Sequence, residues 1–323
     1  GKKGAHYEGG MRVPFIAAWA KASPGNRHQK QLPIVAGAIQ SQQAAVYDLF
    51  PTILGLLGIE PPKNHVLDGT RLDTLLTGRP DPRIDRNDYG PNPNTTVFGW
   101  LAGQPGFRSQ VAVFGTWDVF APIFYREREL MLVRAGWELP FPGSTDPSRI
   151  LLDSLYATTT RYWPGMPYDA FLQASVMEYL RTERPRVLYL GFGETDEWAH
   201  SGKYDRYLAT ARRVDGFIRD LWQTMQAMPE YAGRTTFVIT TDHGRGSGLD
   251  DWTDHGKDVE GAEHIWIAVM GPGIPGLGER KNVAFVTQAQ VAATVAAAVG
   301  MDWVTATGPA WTAAALPVFG PTD

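Results

Sequence analysis

Three short stretches in the C-terminal half of the chain carry side chains suited to holding a metal ion. In the first, Gly193-Glu194-Thr195-Asp196-Glu197-Trp198-Ala199-His200, Asp196 and His200 are four residues apart. On a helix they share one face and can point a carboxylate oxygen and an imidazole at one ion. The second, Thr240-Thr241-Asp242-His243-Gly244-Arg245-Gly246, sets an Asp-His pair just past an apolar run, with glycines that let the backbone turn sharply and approach a bound group. The third is Trp252-Thr253-Asp254-His255-Gly256-Lys257, in a loop too polar to be core. Each stretch alone also fits a solvated pair or a strand-end turn. Together they put three of the seven histidines between residues 200 and 255, each with an Asp within four residues. The mixed nitrogen and oxygen donor set suits zinc or a similar divalent ion. Two such ions about 3.5–4 Å apart clamp the attacking and leaving oxygens of an in-line displacement, so the expected chemistry is ester hydrolysis at phosphorus or sulfur. Arg245 and Lys257 stand beside these motifs, either as groups that hold an anionic substrate or as solvated loop charges.

The elements that must position these residues are legible around them. Val187 to Phe192 and Thr235 to Thr241 read as strands that run directly into acidic and His residues, and in open α/β sheets ligands bind outside the carboxyl ends of strands. Between them, Tyr204 to Met228 has apolar positions on one face of a long helix. Strand, helix and strand at this spacing predict a right-handed crossover and a parallel sheet. Val111 to Gly115 reads as a further strand. A strand at Val13 to Trp19 with a helix at Ala44 to Gly58 looks repeated by Ile265 to Met270 with Gln288 to Val299. Gly78 to Asn94 is dense in Pro, Gly, Asn and Asp, which places a boundary there. The aromatic-rich region from Trp100 to Trp163 reads as a packed insert or core surface, the alternative being a pocket walled by Trp117, Tyr125 and Trp137.

Composition narrows the function further. The 323 residues are 43% hydrophobic and 20% charged, enough for one large α/β domain or two smaller ones. A formal net charge of -4 gives no basic footprint for nucleic acid and no run of Lys or Arg for a membrane surface. Small polar substrates fit better than polymers; the ester chemistry expected at the His and Asp motifs makes that substrate an anionic one. The absence of Cys excludes thiolate zinc sites, cysteine nucleophiles and a formylglycine made from Cys. Val291 to Met301, the longest low-polarity stretch, is too short to span a bilayer. The sequence opens at Gly1-Lys2-Lys3-Gly4 without an initiator Met or a basic-then-apolar leader. A signal peptide upstream would agree with a periplasmic or extracellular placement. Oligomeric state is not readable from these features.

The metal-ligand motifs carry a family resemblance. The stretch from Asn94 to Trp303 resembles bacterial phosphodiesterase-type and alkaline-phosphatase-family members of the alkaline phosphatase superfamily, through the Asp196/His200, Asp242-His243 and His255 motifs. The resemblance implies two divalent ions, zinc with manganese or calcium as alternatives. Asp196, His200 and His255 match the ligands of one, and Asp242 and His243 match two ligands of the other. It also implies an early Asp and a Thr or Ser nucleophile, neither of which is identified in this chain. Thr95 and Thr96 do not match the nucleophile's position.

Residues 1 to about 80 resemble the later part of a sulfatase, through Gly1-Lys2-Lys3-Gly4-Ala5-His6-Tyr7-Glu8-Gly9-Gly10-Met11-Arg12-Val13-Pro14-Phe15 and Asp48-Leu49-Phe50-Pro51-Thr52. In that family the Lys aligned with Lys3 contacts the substrate sulfate, which suits a compact ammonium. A sulfatase also needs a Cys or Ser in a C/S-x-P-x-R motif, which is not seen here. The two resemblances meet near Leu75-Leu76-Thr77-Gly78-Arg79-Pro80-Asp81-Pro82, so the chain reads as a joined product: residues 1–80 a sulfatase-like segment, residues 81–323 a metal-binding C-terminal portion. The implied fold is an α/β alkaline-phosphatase-like sandwich with a largely parallel central sheet lacking its N-terminal strands. Exposed apolar edges would make such a fold marginal. The expected activity is hydrolysis of a phosphoric ester, with sulfuric-ester hydrolysis and a non-catalytic metal-binding fragment as the alternatives.

Overall fold

The computed structural model describes residues 72–81, 83–84, 89–126, 128, 130–256, 258–280, 283–309 and 312–319. The chain divides into two units, Gly1–His65 and Val66–Asp323, and every described residue belongs to the second. Lys3, the expected strand Val13 to Trp19, the expected helix Ala44 to Gly58 and Lys257 lie outside the described residues.

Among the described residues, the central sheet has three parallel strands in the order β2-β1-β3: β1 is Val111–Gly115, β2 is Leu132–Ala135 and β3 is Val187–Gly191. All five residues of β1 are buried, as a middle strand covered on both faces requires. Successive side chains on a strand point to opposite faces, and β1 divides accordingly. Val111 and Val113 join one apolar cluster with Phe98, Leu101, Val133 and Ala292. Ala112 and Phe114 join another with Leu172, Val176, Leu180, Phe217 and Leu221. The first cluster is built by α1 (Leu72–Thr77), α2 (Val97–Ala102) and α8 (Gln290–Ala298), with α3 (Phe120–Ile123) and α9 (Trp303–Thr307) at its margins. The second is built mainly by α5 (Asp169–Glu183) and α7 (Tyr204–Ala227), with α4 (Pro147–Thr158) beside α5. The result is the expected α/β sandwich around a parallel sheet.

Local chemistry explains where several helices begin. Asp146 caps α4 by accepting from the backbone N–H groups of Ser148 and Arg149, with Pro147 in the first helical turn. Thr96 caps α2 through Gly99 N–H and is fully buried. The segment Leu75 to Gly78 is part of this unit's core. Leu75 and Leu76 are buried, the indole of Trp303 donates to Thr77 O at 2.9 Å, and Ala313 N–H donates to Gly78 O at 3.0 Å. At Gly78, where φ is +80°, a Cβ would lie 2.7 Å from Thr312 Cγ2.

One topological expectation is corrected. Among the described residues, β4 (Phe237–Thr240) does not extend the parallel sheet after α7; it pairs antiparallel with β5 (Ile267–Met270) in a separate two-stranded sheet, Thr240 opposite Ile267. The chain leaves β4 at the end where the His243 and His255 loop begins, and returns from that same end into β5. A strand that returns from the end its partner left must run antiparallel to it. The aromatic residues Trp117, Tyr125 and Trp137 are packed. Trp137 is buried with its indole N–H on Trp163 O at 2.9 Å, Trp117 stands edge-on to Phe120, and Tyr125 lies under the Arg128 guanidinium. Among the described residues, no helix is long and apolar enough to cross a membrane.

Candidate metal centre

The strand β3 ends at Gly191, and α6 (Glu194–His200) starts three residues later. Its start is held by a latch to the start of α5. Asp169 Oδ1 accepts from the N–H groups of Gly193 and Glu194 at 3.3 and 3.2 Å, and Glu194 Oε2 accepts in return from Asp169 N–H at 3.0 Å. Glu194 Oε1 further accepts from the Trp198 indole, the Thr210 hydroxyl and the Arg213 guanidinium. Asp169 is 2% exposed and Glu194 4%. Burial, with the Glu194 carboxylate beside it, pushes the Asp169 carboxyl up to about 7, and Asp169 Oδ2 has no hydrogen-bond partner among the described residues. The latch fixes the start and direction of α6, and with it the two metal-ligand candidates on that helix.

Asp196 and His200 do share a face of α6: His200 Nε2 is 3.3 Å from Asp196 Oδ2. The loop after β4 brings the remaining imidazoles to the same carboxylate. His255 Nε2 is 3.6 Å and His243 Nε2 3.7 Å from Asp196 Oδ1. The His243 and His255 rings stack at 3.6 Å between centroids, and His255 Nε2 faces His200 Nε2 at 3.1 Å. Asp242 sits at the rim, half exposed, with Oδ2 3.6 Å from His243 Nε2. All five expected ligands are therefore neighbours. The two sets expected from sequence interleave, since Asp196, His243 and His255 each offer a ligand atom within 4.8 Å of the others.

Backbone contacts explain the loop's shape. Gln288, buried ahead of α8, donates its side-chain amide to Asp242 O at 2.9 Å. Gly244 N–H donates to Ala262 O at 2.7 Å, and a Cβ on Gly244 would lie 2.5 Å from the carbonyl oxygens of Gly261 and His264. Only glycine fits between those carbonyls.

The donor set fits a divalent cation. His243 Nδ1 is 2.9 Å from Gly244 O; a carbonyl can only accept, so Nδ1 carries the proton and the Nε2 lone pair points inward. Burial, together with His243, His200 and Arg245 nearby, holds His255 down at about 4, so its ring is neutral at pH 7. Two imidazole nitrogens facing each other at 3.1 Å can share one proton or one cation. Arg245 sits at this centre: it donates Nη2–H to Asp196 Oδ1 and Nη1–H to Thr253 O, the latter at 3.0 Å. Asp196 Oδ2 remains turned toward His200.

Sequence reasoning placed Arg245 beside the motif but not on Asp196, and it missed the Asp169–Glu194 latch and Gln288. A buried acid at each of two helix starts is a signal only once the two helices are known to meet.

Comparison with known proteins adds a family and a set of partial relatives. The model of the Metalloenzyme superfamily matches residues 131–303, which hold all five expected ligands. N-acetylgalactosamine-6-sulfatase of Mus musculus is 42% identical over 74 residues, 23% of this chain and 12% of that protein. Steryl-sulfatase of Mus musculus is 35% identical over 79 residues, 24% of this chain and 11% of that one. Arylsulfatase A of Bos taurus is 32% identical over 111 residues, 34% and 17% respectively. The chain thus spans less than a fifth of the length of these curated relatives. No solved structure matches.

Proposed function

Because the chain belongs to the Metalloenzyme superfamily, we propose that it is a metal-dependent hydrolase of small anionic esters, and that the ester is a sulfuric one. The observation that carries the reading is the convergence of the His200, His243 and His255 Nε2 atoms on one carboxylate, that of Asp196. Asp196, His200 and His255 would hold one divalent ion, zinc by the chemistry of the donors, and Asp242 with His243 would contribute to a second. A bound divalent ion supplies Lewis-acid polarisation of the ester oxygens. The chain's own groups orient and hold. The Gly244 carbonyl sets the His243 tautomer, and the Asp169–Glu194 latch aims α6. Arg245 brings a fixed cation to the place where the ester's negative charge would lie. Lys257, beside the His255 motif, and Lys3, through the sulfatase resemblance of residues 1–80, are each proposed as substrate-binding cations.

Sulfur is favoured over phosphorus by the relatives, which are named as sulfatases. Phosphoric-ester hydrolysis, first in the reading of the sequence, takes second place, supported by the likeness of the metal-ligand motifs to phosphodiesterase-type proteins. The division into a sulfatase-like segment, residues 1–80, and a metal-binding portion, residues 81–323, belongs to the same proposal.

Zinc content by elemental analysis, followed by turnover of 4-nitrophenyl sulfate and 4-nitrophenyl phosphate, tests it. Wild-type chain should hold zinc, and His255→Ala should weaken zinc affinity at least tenfold. Zinc content unmoved by His255→Ala refutes the centre. Zinc bound without turnover above the metal-only background reduces the chain to a metal-binding fragment, and faster turnover of the phosphate reinstates the phosphoric ester.

A further inference from the structure

Beside the metal centre lies a cleft of about 450 Å³ lined by Tyr204, Tyr207, Arg245, Gly246, Leu249 and Trp252. Its aromatic walls come from two places far apart in sequence. Tyr204 and Tyr207 stand on the first turn of α7 with rings 6.0 Å apart and 28° from parallel. Trp252 lies in the single 3₁₀ turn Asp251–Thr253, its ring 5.1 Å from Tyr204 and 6.1 Å from Tyr207. The aromatic wall is left open to solvent: Leu249 is 94% and Tyr204 55% exposed. The loop that carries Leu249 and Trp252 is tied by its own bonds. Gly248 N–H donates to Asp251 Oδ1, the Thr253 hydroxyl donates to Asp250 O at 2.9 Å, and Arg245 Nη1–H reaches Thr253 O at 3.0 Å.

Arg245 is common to the cleft and to the metal centre. Its side chain lines the cleft, and its guanidinium donates to Asp196 Oδ1. An anionic group held at the guanidinium therefore has a three-ringed aromatic recess within one arginine side chain of it. Aromatic walls reward a flat ring that stacks on one of them or meets it edge-on, and the volume suits one substituted ring.

We propose that this cleft binds an aromatic ring, as the organic part of the ester whose acid group lies at Arg245, and that Trp252 and Tyr207 set this selectivity. The placement of the ester rests on the hydrolase reading above; the ring site itself does not.

The test measures binding of phenyl sulfate, methyl sulfate and phenol to the zinc-loaded 323-residue chain by calorimetry, with zinc content followed alongside. Phenyl sulfate should bind about tenfold or more tightly than methyl sulfate. Trp252→Ala should erase most of that difference while leaving methyl sulfate affinity and zinc content unchanged. Tyr207→Ala, on the other wall, is the second variant and should act in the same direction. Equal affinities of phenyl and methyl sulfate, or a phenyl preference that survives both substitutions, overturn the proposal. Saturable phenol binding that depends on Trp252 in a chain without turnover keeps the ring site and refutes the hydrolase reading.

Discussion

Replacing Asp169 by Asn should remove a specific pH dependence of stability. Asp169 is buried at the start of α5 against Glu194, with Arg213 beyond it on the Glu194 carboxylate. Its carboxyl is pushed up to about 7 from an ordinary 3.8, first by burial and then by Glu194. An acid whose value is raised on folding is protonated in the folded chain and ionised in the unfolded chain between those two values. Stability is then greatest below about pH 4 for this group, falls as pH rises, and levels off above about 7. Each tenfold displacement of the proton equilibrium is worth about 1.4 kcal/mol, so the full fall is about 4 kcal/mol. In Asp169→Asn the side-chain carbonyl can still accept from Gly193 and Glu194 N–H, and no proton is exchanged. Urea unfolding of both chains at pH 5 and pH 8 reads the effect. The variant's stability relative to wild type should rise by roughly 2 to 4 kcal/mol between the two pH values. A difference between the chains that is the same at both pH values would refute the account of the latch.

Two further outcomes follow from the packing. Gly244→Ala should cost about 2 kcal/mol or more and lower zinc affinity, because the new Cβ meets the carbonyls of Gly261 and His264 at 2.5 Å; denaturant midpoints and zinc titration measure both. Thr96→Ala should cost about 1 kcal/mol through loss of the α2 cap, while zinc content and turnover stay unchanged; a collapse of turnover at full stability would make Thr96 a reacting group instead of a cap.

Much of the site was readable before any fold was known, and the reason is locality. Asp196 and His200 share a face because helical geometry alone puts residues four apart side by side. Val111 to Gly115 is a strand with the bounds that its apolar run suggests, and Tyr204–Ala227 is the long helix that its spacing requires. The strands ahead of Gly193 and Thr241 end where acidic and His residues begin. The partner of β4 was not readable, because a strand-helix-strand pattern does not encode which edge accepts the second strand. Hydrogen bonding to β5 decided that.

The sequence by itself therefore determined the candidate donor residues, the strand ends that carry them, and the sulfatase and superfamily likeness. These depend on residue type and on spacings within one helix or one loop. Only the tertiary structure decided that His255 comes to His200, 55 residues away, that Arg245 comes to Asp196 across 49, and that Asp169 latches to Glu194 across 25. Contacts at such separations form when sheet and helices close on a common core, and no local periodicity records them.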